Sequence, residues 1–185
     1  HTEAAPSEIR SGAWETLPKT KAILSPYTSD HGFLLFTENG ITKCPVDVIF
    51  PVMHGDYCED GCLQGLCELA GVRYVGCGVL ASAVGMDKEL AKERFAAAGI
   101  PVAGGIVIEK KDMERAADLV RAALSYPVFV KPANAGSSLG AYKVSTEADL
   151  PEAISGAFSY DEKVLVEEFI EAREIECAIL GTENP

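Results

Sequence analysis

The chain has 185 residues, 48% of them hydrophobic, and a formal net charge of −12. That composition excludes a disordered chain and supports a buried core, and with no basic stripe or Lys/Arg cluster, nucleic acid and anionic membrane are poor partners. No apolar run nears the roughly 20 residues of a membrane span and the opening His1-Thr2-Glu3 lacks signal-peptide architecture, so a cytoplasmic protein is expected.

The first forty residues carry Pro6, Pro18, Pro26, Gly12 and Gly32 among polar residues, and only 21–24 and 32–36 read as short strands. They resemble the flank of a domain that begins earlier. Residues 47–51, Asp-Val-Ile-Phe-Pro, predict a buried strand, and 59–70 a helix with Leu63, Leu66 and Leu69 on one face and Gly71 as its stop. A strand at 72–76 completes a parallel α/β unit. A boundary is expected near Gly85, giving domains 1–85 and 86–185. Asp87 is a fair N-cap for a helix to Ala98, ended by Gly99-Ile100-Pro101. The order then becomes strand 105–108, helix 112–124, strand 127–131, loop, strand 140–144, helix 146–158 and strand 163–168. This β-α-β-β-α-β order puts the loop at a hairpin tip, free to close over a ligand held by the sheet.

That loop carries the strongest chemical signal. Residues 128–140 read Val-Phe-Val-Lys-Pro-Ala-Asn-Ala-Gly-Ser-Ser-Leu-Gly, a β-branched strand running into small residues with one cation upstream. Flexible backbone N–H groups from such a loop can cover a polyphosphate, with Lys131 as the point charge. Gly136 and Gly140 would allow close approach and Ser137 and Ser138 could donate hydroxyl hydrogen bonds. An ordinary Gly/Ser turn after a strand is the bland alternative. Residues 76–81 also satisfy Gly-x-Gly-x-x-Ala, but the acidic residue expected about 20 positions on falls inside a helix, which argues against a dinucleotide site. No Gly-Lys-Ser/Thr of a Walker loop occurs. The six cysteines contain no Cys-x-x-Cys pair and read as free thiols in a reducing compartment rather than as zinc ligands.

Three further segments accompany the loop. They are His-Gly-Asp-Tyr-Cys-Glu-Asp-Gly-Cys-Leu-Gln-Gly at 54–65, Tyr-Val-Gly-Cys-Gly-Val-Leu-Ala-Ser-Ala at 74–83 running into Met86-Asp87-Lys88, and Val-Leu-Val-Glu-Glu-Phe-Ile at 164–170 running into Arg173-Glu-Ile-Glu-Cys177. In this order the four segments resemble the D-alanine–D-alanine ligase family of the ATP-grasp superfamily. One position departs: the first motif usually reads His-Gly-x-x-Gly-Glu-Asp-Gly, and Cys58 stands at the second glycine, so a tight turn there would have to be made with a side chain present.

The resemblance implies an α/β fold, the end of an amino-terminal parallel α/β domain followed by the α+β ATP-grasp nucleotide-binding subdomain. It implies an ATP-dependent ligase that converts one D-alanine to an acyl phosphate, which the amine of a second attacks, for peptidoglycan precursors. ATP with magnesium would be the cofactors, D-alanine the substrate and a homodimer the assembly. Lys88 and Lys131, with Ser138, would hold phosphates. Glu167 would accept the adenine amino group, the backbone of Phe169 and Ile170 would pair with the ring edge, and Glu174 would take the ribose hydroxyls. His54 and Ser137 would face the first D-alanine as the catalytic residues. The magnesium carboxylates, an oxyanion arginine and the residues that choose the second substrate would follow Pro185, and the amino-terminal strand and its glutamate would precede His1. The alternatives are a D-alanine–D-lactate or D-alanine–D-serine ligase, another ATP-grasp carboxylate–amine ligase, and a nucleotide-binding module without catalysis.

Overall fold

The computed structural model describes residues 1–136 and 138–181. The chain divides into two compact units, the first comprising 1–91 with Ala135 and Gly136, the second 92–134 and the chain after Ser137.

In the first unit, α1 (Pro6–Ser11) precedes a three-stranded antiparallel meander of β1 (Lys21–Leu24), β2 (Gly32–Thr37) and β3 (Gly40–Pro45). The third strand is not evident from its sequence, because Gly-Ile-Thr-Lys-Cys-Pro lacks a clean alternation. A buried Ser25 hydroxyl donates to Asp30 at 2.5 Å, and Lys43 pairs with the other Asp30 oxygen at 2.7 Å, closing the meander's end. Then β4 (Val48–Ile49), α2 (Cys62–Ala70) and β5 (Arg73–Tyr74) form the expected parallel β-α-β unit. Both strands are shorter than predicted, and the expected buried strand is not buried. Val48 and Phe50 are exposed, since this sheet has only two strands among the described residues. The helix also turns a different face inward. Gln64, Cys67 and Ala70 are buried while Leu66 and Leu69 are exposed, because the small side chains at 67 and 70 let the helix approach its neighbours closely. Gly71 stops it in the left-handed conformation at φ 65°, as expected.

A further helix, α3 (Val79–Met86), leads into α4 (Lys88–Ala97), whose start is capped as predicted: Asp87 Oδ1 accepts the amides of Glu89 and Leu90 at 3.0 and 3.2 Å.

The second unit contains β6 (Gly105–Glu109), α5 (Ala116–Ala123), β7 (Val128–Pro132), β8 (Tyr142–Val144), α6 (Leu150–Ala157) and β9 (Lys163–Glu168), in the predicted order. Short 3₁₀ turns occupy the first residues of both predicted helices. The four strands form an antiparallel sheet ordered β6-β9-β7-β8. Strand alternation divides the sheet sharply. Ile108, Val128, Val130, Val144, Val164 and Val166 point to one face and are sealed by Val120, Leu150 and Ile154 of the helices. The opposite face carries Gly105, Val107, Phe129, Lys131, Lys143, Leu165 and Glu167 by register. The core on one face is therefore apolar, whereas the other face mixes apolar residues with Lys131, Lys143 and Glu167.

Two substitutions, one in each unit, test these burial patterns by urea denaturation. Ile154→Ala should destabilise the chain by about 2–5 kcal/mol, the usual cost of truncating a fully buried isoleucine. Leu69→Ala, on the exposed side of α2, should stay within about 0.5 kcal/mol of the parent.

Candidate nucleotide-binding site

On the second unit's other sheet face the central residue is Glu167. Its residue is 4% exposed, and a carboxylate so withdrawn from water needs partners. Lys131 reaches Oε2 at 2.5 Å from β7, and Lys92 on α4 pairs with Oε1. Burial pushes the carboxyl pKa up, but the hydrogen bonds from Lys131 and Lys92, with their charges, outweigh it and hold the group below its ordinary value. The pair Lys131 and Glu167 was legible as two residues with separate tasks. Their union depends on the β7–β9 register, in which Lys131 lies opposite Leu165 and Phe129 opposite Glu167.

Sequence reasoning missed Lys92 and Gly105. Lys92 follows Lys88 by one helical turn, a spacing that could have prompted the question. Gly105 lies opposite Glu167, and a Cβ there would come within 2.7 Å of the Val166 carbonyl and 2.9 Å of Glu167 Cγ. A glycine inside a strand is the signal for such an approach. Beyond β9, the Phe169 ring lies under the Lys143 ammonium at 3.7 Å, Ile170 is exposed, and Glu174 is exposed in a stretch without regular secondary structure.

The stem of the Gly/Ser loop is more firmly held than its small residues suggest. Ala133 is fully buried and its amide donates to the Lys163 carbonyl at 2.9 Å. Asn134 gives Asp161 Oδ2 both its backbone N–H at 2.8 Å and its side-chain N–H at 3.0 Å. At the far end Ser138 and Gly140 adopt φ of 57° and 68°, and a Cβ on Gly140 would lie 2.6 Å from the Tyr160 ring. Gly140 is thus required by its neighbours. Gly136 is not, since a Cβ there meets nothing closer than 3.9 Å. Ser137 lies outside the described residues.

In the first unit, a cavity of about 650 Å³ is lined by His54, Cys58, Glu59, Cys77 and Lys88, among others. Lys88 donates to the Ala135 carbonyl at 2.5 Å. His54 Nδ1 is 3.8 Å from Glu59 Oε1, and Glu59 Oε2 accepts the Gly55 amide at 2.5 Å. Asp60 accepts the amides of Cys62 at 2.9 Å and Tyr57 at 2.8 Å, which hold its carboxyl below the ordinary range. The expected strain at Cys58 is absent. The left-handed residues of this loop are Gly55, Tyr57 and Gly61, so the side chain tolerated at positive φ is that of Tyr57, while Cys58 Sγ contacts Met53 Sδ at 3.9 Å.

The Glu167 cluster has a measurable pH signature. Its folded pKa is depressed, so its stabilising contribution is complete above the ordinary glutamate value of about 4.3 and is lost as pH falls through the folded value. The stability gap between the parent chain and Glu167→Gln, measured by urea denaturation from pH 7 downward, should be wide at neutrality and close in acid. A gap that does not vary with pH would contradict the ion-paired arrangement.

The same elements occur in known proteins. Residues 3–77 match the family described as D-ala D-ala ligase N-terminus, and residues 95–185 match D-ala D-ala ligase C-terminus. A D-alanine–D-alanine ligase of Acetivibrio thermocellus is 56% identical over 96% of this chain and 52% of its own length. One from Ruminiclostridium cellulolyticum is 46% identical over 96% of the chain and 50% of its own length. The chain thus spans about half the length of these relatives. Among solved structures, the VanG D-Ala:D-Ser ligase from Enterococcus faecalis superposes with a TM-score of 0.83 at 39% identity, covering 92% of this chain and 49% of that one. The D-alanine–D-alanine ligase from Helicobacter pylori gives 0.73 at 29% identity, covering 90% and 48%. Two family matches in chain order, relatives 56% and 46% identical, and a common fold lead to one conclusion: the chain belongs to the D-alanine–D-alanine ligase family.

Proposed function

We propose that this chain carries the nucleotide-binding part of a cytoplasmic ATP-dependent ligase that joins two D-alanines through an acyl phosphate for peptidoglycan precursor synthesis. Beside family membership, the observation that supports this reading most is the buried Glu167 carboxylate set next to Lys131 on the sheet face away from the helices α5 and α6. An adenine offers an amino group that a carboxylate accepts, and its faces need apolar walls, which Val107, Leu165 and Phe129 on the same face can supply. ATP supplies the phosphoryl group that activates the substrate carboxylate.

The residues would divide the work as follows. Lys131 would leave Glu167 for a phosphate, and Lys88 would be a second phosphate cation. Ser138 would donate to phosphate from the loop, Phe169 and Ile170 would pair with the ring edge through their backbone, and Glu174 would take the ribose hydroxyls. His54 would orient the first D-alanine, its own imidazole steadied by Glu59, and Ser137 would contribute its hydroxyl there. This is catalysis by positioning and charge neutralisation, as phosphoryl transfer requires. Among the described residues no three His, Cys, Asp or Glu side chains converge to hold a metal; magnesium, arriving with ATP, would neutralise charge on the phosphates. A D-alanine–D-serine ligase is a second reading, favoured by the likeness to VanG; offering the ligase D-serine beside D-alanine and identifying the dipeptide formed would separate the two.

Calorimetry with ADP tests the nucleotide assignment. The parent chain should bind, and Lys131→Met, which keeps the stem and deletes the charge, should weaken binding about ten- to a hundredfold, the loss of a charge-assisted contact. Unchanged affinity would overturn the assignment of Lys131 to phosphate.

A further inference from the structure

No motif in the sequence assigns Lys92, yet it is one of two ammonium groups on the most deeply buried carboxylate of the sheet. The geometry divides that carboxylate: Lys92 pairs with Oε1, Lys131 with Oε2 at 2.5 Å. The Lys92 side chain is itself mostly buried, 23% exposed, and it comes from a helix rather than from the sheet that carries Lys131 and Glu167. Two cations and one anion leave the cluster with a net charge of +1, the sign a polyphosphate requires.

Resting on the nucleotide reading above, we propose that Lys92 is a positioning residue: it keeps hold of Oε1 of Glu167, so that Oε2, once Lys131 turns to phosphate, receives the adenine amino group. Without Lys92, departure of Lys131 would strand a buried carboxylate with neither cation, a strongly unfavourable state. With it, one lysine moves and the other stays. The arrangement lets a single buried glutamate serve two successive partners without losing its orientation. Gly105 fits this assignment, because a Cβ there would come within 2.9 Å of Glu167 Cγ and crowd the side chain that both lysines hold.

The test compares ADP with inosine diphosphate, which carries an oxo group in place of the amino group, by calorimetry on the chain. The parent should prefer ADP. Lys92→Met should lower ADP affinity about tenfold while changing inosine diphosphate affinity little, so the preference collapses, and Lys92→Arg should restore it. Lys131→Met should weaken both nucleotides alike and keep the preference. If Lys92→Met leaves the preference intact, including the case where both affinities fall together, Lys92 does not act through Glu167 and the proposal is overturned. A parent chain that does not prefer ADP would instead overturn the nucleotide reading, and this proposal with it. Thermal melting of each variant reports folding. Should Lys92→Met not fold, the Glu167 carboxyl carbon is titrated by NMR in the ADP complex of the parent. Titration below the ordinary glutamate range is expected, and titration within or above it would overturn the proposal.

Discussion

Desolvating a carboxylate is costly enough that a protein interior either neutralises the group or surrounds it with cations, and the second unit does the latter at Glu167. Much of the local architecture answers to that choice. Lys131 can reach the carboxylate only if β7 and β9 are neighbours in the observed register, Lys92 only if α4 delivers its ammonium to Oε1, and the carboxylate keeps its rotamer only if β6 offers a glycine opposite. The helices that seal the other face add apolar burial to whatever the ion-paired cluster contributes.

The first unit relies on a different economy of polar groups. Between Met53 and Cys62 the chain satisfies its amides from its own acidic side chains, Glu59 taking Gly55 and Asp60 taking Tyr57 and Cys62. A loop that fixes itself can present His54 to a cavity without help from a long helix or strand. It also explains how a tyrosine comes to be held at positive φ, since the amide of Tyr57 is bonded to Asp60 and its carbonyl to the amide of Leu63 at 3.1 Å.

The sheet of the second unit was legible because its strands alternate and its helices carry apolar faces, both local patterns. The order of elements and the hairpin that carries the Gly/Ser loop followed directly. What escaped was whatever depends on pairing across long sequence separation. Lys131 and Glu167 are 36 positions apart and Lys92 and Glu167 are 75, so no window along the chain shows them as one cluster. The stem of the loop was misjudged for the same reason: the anchor of Asn134 is Asp161, beyond two intervening elements. In α2 the failure was of another kind. Leucines at 63, 66 and 69 form as good a helical stripe as the residues one position on, and packing selected the smaller side chains. The exposed turn at 57 rather than 58 could not be read from composition, because a glycine-to-cysteine departure draws the eye to the wrong residue.

The alternation along β9 has an evolutionary consequence. Val164 and Val166 lie in the core while Leu165 and Glu167, between and beside them, lie on the opposite face, so a backbone adjustment that accommodates a new core side chain is felt within one residue at the carboxylate. Substitutions that repack the interior and substitutions on the face that carries Glu167 are therefore epistatic, coupled through a single strand rather than separable into independent sets. A lineage exploring new core sequences has few neutral steps here, and compensating changes should accumulate in pairs across β7 and β9, where one register serves both purposes.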